Sequence, residues 1–137
     1  MSEKKTDLLF GKTWKANIKK SKFSTEWVPD SETRHYEGLE NGYKLTVSGI
    51  HKGEKYEWGY TAFYDGKPHS VYGRKDVDNI VAYRVTDLIT IGFFYHRETP
   101  GGPYSRFVAK DGKSLSVQTV GRHENGQVYF DVINYEI

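Results

Sequence analysis

The residue best placed for acid–base chemistry is a histidine at the end of an apolar segment. His96 follows three consecutive aromatic residues at 93–95. A histidine gains and loses a proton near neutral pH, so it serves as a general acid or base when a substrate lies beside it. His96 is therefore the best single candidate among the five histidines for a catalytic or ligand-contacting base. Glu57 and Asp131 are both candidate carboxylate partners, and the spacing selects neither.

Two arginines lie within otherwise apolar segments. Arg84 follows the run Ile-Val-Ala-Tyr at 80–83, and Arg106 lies between a serine and a phenylalanine. An arginine that points inward would pair with a ligand carboxylate or with an internal acid, because a buried unpaired guanidinium is costly. Arg84 is accordingly a catalytic candidate and Arg106 a ligand-binding candidate. On an alternating strand, the alternative for both is an outward orientation into water.

Several chemistries are excluded by residues that the chain lacks. It has no cysteine, which removes disulfides, thiolate metal sites and cysteine nucleophiles. It contains no Gly-x-Ser-x-Gly nucleophile motif, no phosphate loop and no dinucleotide fingerprint. No pair of histidines has the His-x-His or His-Glu-x-x-His spacing of a metal site. We therefore expect neither a cofactor nor a metal.

The charge balance and the hydropathy of the chain narrow its partners. Lysine and arginine number 20 against 18 aspartates and glutamates, and this net charge of +2 is too small to predict nucleic-acid binding. The sequence contains no apolar run of the length that spans a membrane. The first five residues mix acids and bases, unlike a signal peptide. We expect a cytoplasmic protein with one domain over residues 1–137, in which residues 1–10 form an N-terminal extension.

Aromatic residues are the main excess in the composition. They make up 15% of the chain, with eleven tyrosines, seven phenylalanines and three tryptophans, and such residues favour strands. Between turn signals, apolar and polar residues alternate with the period of a strand, a pattern typical of hairpins. The turn signals are Asn41-Gly42, Lys52-Gly53, Asp65-Gly66, Asp111-Gly112 and Asn125-Gly126.

These patterns predict ten strands and no long amphipathic helix. Because a meander of hairpins protects its edges best by closing on itself, the predicted fold is all-β, a single antiparallel up-and-down β-barrel of about 8–10 strands. An open two-layer sandwich is the alternative. The predicted strands are 13–18, 33–39, 43–50, 56–64, 69–72, 79–86, 88–96, 104–109, 114–122 and 128–135.

Two connections are longer than a hairpin turn. Residues 19–30 carry two large aromatic side chains, Phe23 and Trp27, and residues 97–103 contain two prolines and two glycines. Because long loops in a compact domain often cover a site, Phe23 and Trp27 are ligand-binding candidates, with packing against the barrel end as the alternative. Residues 97–103 are expected to form a stiff loop between strands.

The interior of such a barrel holds its own side chains or one small ligand. The alternation predicts an aromatic wall, and its candidate ligand contacts are Tyr43, Tyr56, Trp58, Phe93 and Tyr95. Tyr60 shares a face with Trp58 and is a catalytic candidate, because its hydroxyl can polarise a carbonyl group. Residues 88–96 are apolar on both faces, so the alternation does not decide which face lines the lumen.

Residues 10–15 read Phe-Gly-Lys-Thr-Trp-Lys. This segment resembles the Gly-x-Trp start of the calycin barrels, which include lipocalins, fatty-acid-binding proteins and bacterial lipocalin-like proteins. Gly11 lies three positions before Trp14, where the family pattern has two. The resemblance implies a ligand-binding barrel in which Trp14 lies on the first strand and closes the floor.

The resemblance also extends to residues later in the chain. Lipocalins place a Thr-Asp step and a late arginine near the floor tryptophan, and Thr86-Asp87 and Arg122 match these types. Fatty-acid-binding proteins insert two short helices after the first strand. The corresponding segment here is short and contains Pro29, so these helices are not expected.

Three classes of function follow from the predicted fold. The first is binding of a small hydrophobic or aromatic molecule in the lumen, which the aromatic wall favours. The alternative is a cofactor-free enzyme of the cyclase or isomerase type that acts in the same lumen. The expected cytoplasmic location favours this alternative, and the lack of a strong catalytic motif disfavours it. A second alternative is a protein-interaction module whose aromatic face, including Phe94, packs on a partner. The chain is then expected to be a monomer or a homodimer.

Overall fold

Ten antiparallel strands close into a barrel in the computed structural model, which describes residues 8–122 and 125–137. The up-and-down barrel and all ten predicted strands are confirmed, and the sandwich alternative is wrong. A 3-10 turn, Ile18–Lys20, follows the first strand. The strands are β1 (Thr13–Ala16), β2 (Ser31–Leu39), β3 (Gly42–His51), β4 (Glu54–Phe63), β5 (His69–Tyr72), β6 (Asn79–Thr86), β7 (Ile89–His96), β8 (Thr99–Val108), β9 (Ser114–Arg122) and β10 (Val128–Glu136).

The barrel closes between its first and last strands. β1 pairs with β2, where Trp14 lies opposite Arg34, and with β10, where Lys15 lies opposite Glu136. Closure gives the edges of both terminal segments a partner, which removes the exposed edges of an open sheet. None of the helices in the described ranges has the length and apolar character needed to cross a membrane.

The turn between β3 and β4 illustrates how the sequence sets the hairpins. His51 pairs with Glu54, so the loop consists of only Lys52 and Gly53. Both have positive φ, 50° and 81°, which is the backbone twist that two-residue hairpin loops require. The Lys-Gly step therefore predicts this turn correctly.

The segment 97–103, expected to be a loop, is mostly strand. The turn between β7 and β8 consists of Arg97 and Glu98, both with positive φ (51° and 69°). Pro103 already pairs with Phe93 of β7, whereas pairing with β9 begins one residue later. A proline is tolerated where a strand is paired on one side, because its missing N–H costs no ladder hydrogen bond there. The loop prediction is wrong because these prolines and glycines belong to a half-paired strand end.

Burial shows which face of each strand lines the lumen. On β7, Thr90 and Phe94 are buried whereas Ile91 and Phe93 are exposed, so the even-numbered residues face inward. The Phe94 ring contacts other lumen aromatics, including Trp58 and Tyr104, so Phe94 is not part of an outer contact face. The buried apolar lumen residues include Tyr36, Tyr43, Leu45, Val47, Trp58, Tyr60, Ala62, Ile80, Val117 and Tyr135.

One end of the barrel is closed by Trp14 and the segment before it. Trp14 is fully buried, and its Nε1 donates a hydrogen bond to the Leu9 carbonyl at 3.0 Å. Leu9 belongs to the core, and Leu8 and Phe10 pack against it. Residues 8–10, predicted from the sequence to belong to an N-terminal extension, therefore help to close the barrel.

Of the other residues that the calycin resemblance places near Trp14, the Thr86-Asp87 step lies at the same end of the barrel and Arg122 lies at the other end. Arg122 is exposed and donates to the Gly126 carbonyl at the opposite end of β10. Asp87 forms an exposed ion pair with Arg84. The barrel is compatible with a calycin-like fold, but the lipocalin arrangement of arginine against the floor tryptophan is absent from the described residues.

Candidate functional site

The end of the barrel opposite Trp14 opens into a cavity of about 640 Å³. Its rim comes from the connections β1–β2, β3–β4, β5–β6 and β9–β10, and its walls come from the inward faces of the strands below them. The lining residues described are Thr25, Glu26, Trp27, Glu32, Arg34, His51, Lys52, Tyr56, Trp58, Gly73, Arg74, Lys75, Asp76, Thr119, Asn125, Gln127, Tyr129, Asp131 and Ile133. This volume lies within the usual range for a small-molecule site.

The long connection between β1 and β2 places Trp27 at the mouth. The Trp27 ring stacks on His51 with 4.5 Å between ring centroids, and it meets the edge of the Tyr56 ring at 5.6 Å. The connection is attached to β10, because the Ser24 amide donates to Asp131 (3.1 Å) and the Phe130 amide donates to the Ser24 hydroxyl (2.7 Å). The rim aromatics are thus held over the cavity.

A buried carboxylate organises the wall beneath the rim. Glu32 accepts hydrogen bonds from the Tyr56 hydroxyl at 2.8 Å, from the Tyr135 hydroxyl, and from Arg34 Nε at 3.3 Å. Burial, followed by the proximity of Glu32, raises the pKa of the Tyr56 hydroxyl above its usual value. The tyrosines therefore stay protonated and act as donors, so Glu32 is a satisfied structural acceptor.

Two arginines, each paired with an acid, contact the tryptophan at the base of the cavity. The guanidinium of Arg34 lies 5.4 Å from the Trp58 ring centroid and that of Arg74 lies 4.7 Å from it. Arg74 binds Asp76 through two hydrogen bonds of 2.8 and 2.5 Å, and Arg34 pairs with Glu32. Both cations are therefore neutralised by an acid, and they hold the Trp58 ring in place by cation–π contacts.

A narrower niche of about 30 Å³ lies below Trp58. Arg34, Trp58, Arg74 and Thr119 line both spaces, so the niche adjoins the cavity. Its other lining residues are Tyr36, Tyr60, Phe94, Tyr104, Arg106 and Val117.

The niche contains the third lumen arginine, Arg106. It is 2% exposed, and its guanidinium lies 4.7 Å from the Tyr36 ring centroid and 4.4 Å from that of Tyr43. Its Nη2 is buried and has no hydrogen-bond partner among the described residues. Arg106 thus differs from the other two lumen arginines, each of which has an acid.

Three tyrosine hydroxyls meet beside Arg106. The Tyr43 hydroxyl lies 2.7 Å from that of Tyr60 and 3.0 Å from that of Tyr104. Burial raises the pKa of Tyr60 and of Tyr104 well above the usual tyrosine value. Tyr60 and Tyr104 are therefore protonated at neutral pH. Each hydroxyl has a single proton and the two hydrogen bonds inside the cluster use two of them, so at most one hydroxyl is left to donate to a group in the niche.

The structure brings six of the predicted site residues together in this lumen. Trp27, Tyr56 and Trp58 line the large cavity, and Tyr60 and Arg106 line the niche. Tyr43 contacts Tyr60 and Arg106 directly behind the niche. The alternation along β3 and β4 predicts this cluster, and Arg106 takes the inward of its two orientations.

Five other predicted site residues lie outside the lumen. Arg84 is exposed at the closed end of the barrel, where it pairs with Asp87. His96 is exposed at the last position of β7, and Phe93 is 42% exposed on that strand. Tyr95 and Phe23 are half-buried and line neither space. These two and Phe93 are therefore not placed to contact a molecule in the cavity.

Three charged residues of the lumen, Glu32, Arg34 and Arg74, were not predicted from the sequence. Glu32, Arg34 and Tyr36 share one face of β2 by simple alternation, and this charged face is the inward one. Arg34 lies directly opposite the buried Trp14 of β1. Residues that pair across two strands point to the same face of the sheet, so Arg34 also faces inward. Arg74 lies in the connection after β5, where no periodicity applies, so its place in the lumen could not be read from a pattern.

No cluster of three or more histidine, aspartate or glutamate side chains suited to a metal ion occurs within residues 8–122 and 125–137. No protein family, no curated protein and no solved structure matches this chain. The geometry of the lumen therefore carries the functional inference without support from a relative.

Proposed function

We propose that this barrel binds a small hydrophobic or aromatic molecule in its large cavity. The observation that carries the proposal is the position of Trp58, whose ring lines a 640 Å³ space and lies within 5.4 Å of two guanidinium groups that fix it. Trp27 and Tyr56 offer further ring surface at the mouth. Such aromatic surfaces with a few fixed polar groups are typical of small-molecule sites.

The rigidity of the walls supports the same proposal. Glu32 has three donors and Arg74 has a bidentate acid, so these groups hold the aromatic residues in place without a ligand. A site that is already ordered loses little side-chain entropy on binding, which favours affinity.

Binding is tested with N-phenyl-1-naphthylamine, a neutral aromatic dye that becomes fluorescent in apolar sites. We expect saturable binding of one dye per chain, and an affinity at least tenfold lower for Trp58→Ala. Phe93→Ala removes an aromatic ring from the exposed side of β7 and is the matched control, with an affinity within about twofold of the unaltered protein. Absence of saturable binding, or equal effects of the two substitutions, would contradict the proposal.

The tyrosine cluster favours one alternative, a cofactor-free cyclase or isomerase. A protonated hydroxyl of Tyr60 or Tyr104 beside a guanidinium is the kind of fixed donor that stabilises a developing oxyanion. This alternative is tested by incubating the protein with a cell metabolite extract and searching for a compound whose retention changes at constant mass. Turnover that persists in Tyr60→Phe would exclude the role of Tyr60 as the donor.

A further inference from the structure

Arg106 is the lumen arginine for which the described residues supply no acid. Arg34 and Arg74 form ion pairs with Glu32 and Asp76, whereas Arg106 Nη2 has no hydrogen-bond partner in residues 8–122 and 125–137. The ring faces of Tyr36 and Tyr43 offer cation–π attraction, which is weaker than a charge-assisted hydrogen bond. A buried donor left unsatisfied is costly, so it is retained only where something compensates for it.

We propose that Arg106 binds the carboxylate end of an otherwise aromatic or hydrophobic ligand. This inference rests on the proposed function and names the chemical class of the ligand. The apolar body lies in the large cavity against Trp58, and the carboxylate reaches past Arg34 and Arg74 into the niche. There it accepts a hydrogen bond from Arg106 Nη2, and the one hydroxyl of the Tyr43, Tyr60 and Tyr104 cluster whose proton is not used inside the cluster is a further donor.

The size and charge of the niche define which acid group it accepts. Its 30 Å³ holds about one water-sized group, so an oxygen of the acid group enters and a ring does not. A phosphate monoester brings a second negative charge and more oxygens, and Arg34 and Arg74 are already neutralised by their own acids. The niche therefore favours a carboxylate monoanion over a phosphate ester.

The test compares three probes that share one naphthalene ring: 2-naphthoate, 2-naphthylmethanol and 2-naphthyl phosphate. Each displaces N-phenyl-1-naphthylamine from the protein, which gives its affinity. We expect 2-naphthoate to bind at least tenfold more tightly than either of the others, and Arg106→Met to reduce this preference to less than twofold. Arg106→Gln, which keeps hydrogen-bonding capacity without charge, is the second variant if the methionine variant does not fold.

The matched control is Arg84→Met, which removes an arginine at the closed end of the barrel. It is expected to keep the full preference for 2-naphthoate. Sodium acetate and sodium chloride, compared at equal ionic strength, test whether Arg106 binds a free small anion. If it does, these salts displace 2-naphthoate at low concentration; if it binds a ligand with an apolar body, they do not.

Four outcomes would overturn the inference. Equal affinities of the acid and the alcohol would leave the proposed function standing and remove the carboxylate subsite. A preference that survives Arg106→Met and Arg106→Gln would place the anion on another cation. Displacement by acetate or chloride at low concentration would make a free anion the natural partner of Arg106. A higher affinity for 2-naphthyl phosphate than for 2-naphthoate would contradict the preference for a carboxylate monoanion. Failure of the dye itself to bind would instead refute the proposed function.

Discussion

The guanidinium of Arg106 lies 4.4 Å from the centre of the Tyr43 ring, and the hydroxyl of the same tyrosine lies 2.7 Å from that of Tyr60. One tyrosine therefore offers its ring face to a buried cation and shares a hydrogen bond with a neighbouring hydroxyl. The contact orients Arg106 without neutralising it. The niche therefore contains a positive charge that no acid neutralises, which lowers the stability of the unliganded protein.

That cost predicts a stabilising substitution. Arg106→Met replaces an unpaired buried charge by an apolar side chain of similar length, and we expect the free energy of unfolding to rise by about 1–3 kcal/mol. Urea unfolding of the ligand-free protein measures the change. A gain in stability together with a loss of carboxylate binding would identify Arg106 as a functional residue and not a structural one.

The matched substitution at Arg34 is expected to change the free energy of unfolding in the opposite direction. Arg34→Met removes the ion-pair partner of Glu32 and leaves a buried carboxylate with only its tyrosine donors, so we expect a loss of about 3 kcal/mol. If Arg106→Met lost as much stability as Arg34→Met, the description of Arg106 as unpaired would be wrong.

The buried tyrosines predict a sensitivity to alkali. Burial raises the folded-state pKa of Tyr60, Tyr104 and Tyr135 above the usual value near 10. Above that pH the unfolded chain loses these protons and the folded chain keeps them, so the free energy of unfolding falls. The contribution of these tyrosines is constant below about pH 9, and above it each one lowers the free energy of unfolding by up to ~1.4 kcal/mol per pH unit.

The decrease is measured by urea unfolding between pH 8 and pH 11.5, with phenolate absorbance at 295 nm as a second signal. Tyr60→Phe removes one of the groups and is expected to give a shallower decrease than the unaltered protein. Full ionisation of all tyrosines without any loss of folded structure would contradict the burial of the cluster.

The strands could be predicted from the sequence because local signals and the global fold agree. Turn residues such as Lys52-Gly53 have the positive φ that a two-residue hairpin needs, and the alternation at Tyr56, Trp58 and Tyr60 matches the burial of one face. Closure follows from the same pattern, since an up-and-down meander removes its edges by joining its ends.

The charged lumen could not be predicted by the rule that apolar faces point inward. The face of β2 that carries Glu32 and Arg34 is buried because the two charges neutralise each other and tyrosine hydroxyls satisfy the rest. Such compensation depends on partners on other strands, which no local pattern contains. His96 shows the reverse case: a residue after an aromatic run lies exposed because the strand ends there.

Burial of Leu9 at the closed end of the barrel predicts that its truncation destabilises the protein. This side chain is 4% exposed and belongs to the core, so Leu9→Ala leaves a cavity and should lower the free energy of unfolding by about 2–4 kcal/mol. Leu39→Ala is the matched control, because Leu39 is 38% exposed and its loss should change stability by about 0.5 kcal/mol or less. Equal effects would show that residues 8–10 do not help to close the barrel.

The strand that replaces the expected loop at 97–103 depends on Gly102. Its φ is +146°, and a Cβ atom there would lie 1.8 Å from the Val120 carbonyl oxygen of β9. An alanine therefore forces the two backbones apart, and we expect Gly102→Ala to cost more than about 3 kcal/mol of stability. In Gly101→Ala the nearest atom is the Phe94 carbonyl oxygen at 3.3 Å, which a small shift accommodates, so this variant should lose much less. The difference between the urea midpoints of the two variants measures how closely β8 lies against β9. Equal midpoints would show that the two strands are separated at Gly102. Residues 99–103 would then form a loop, as their prolines and glycines suggest.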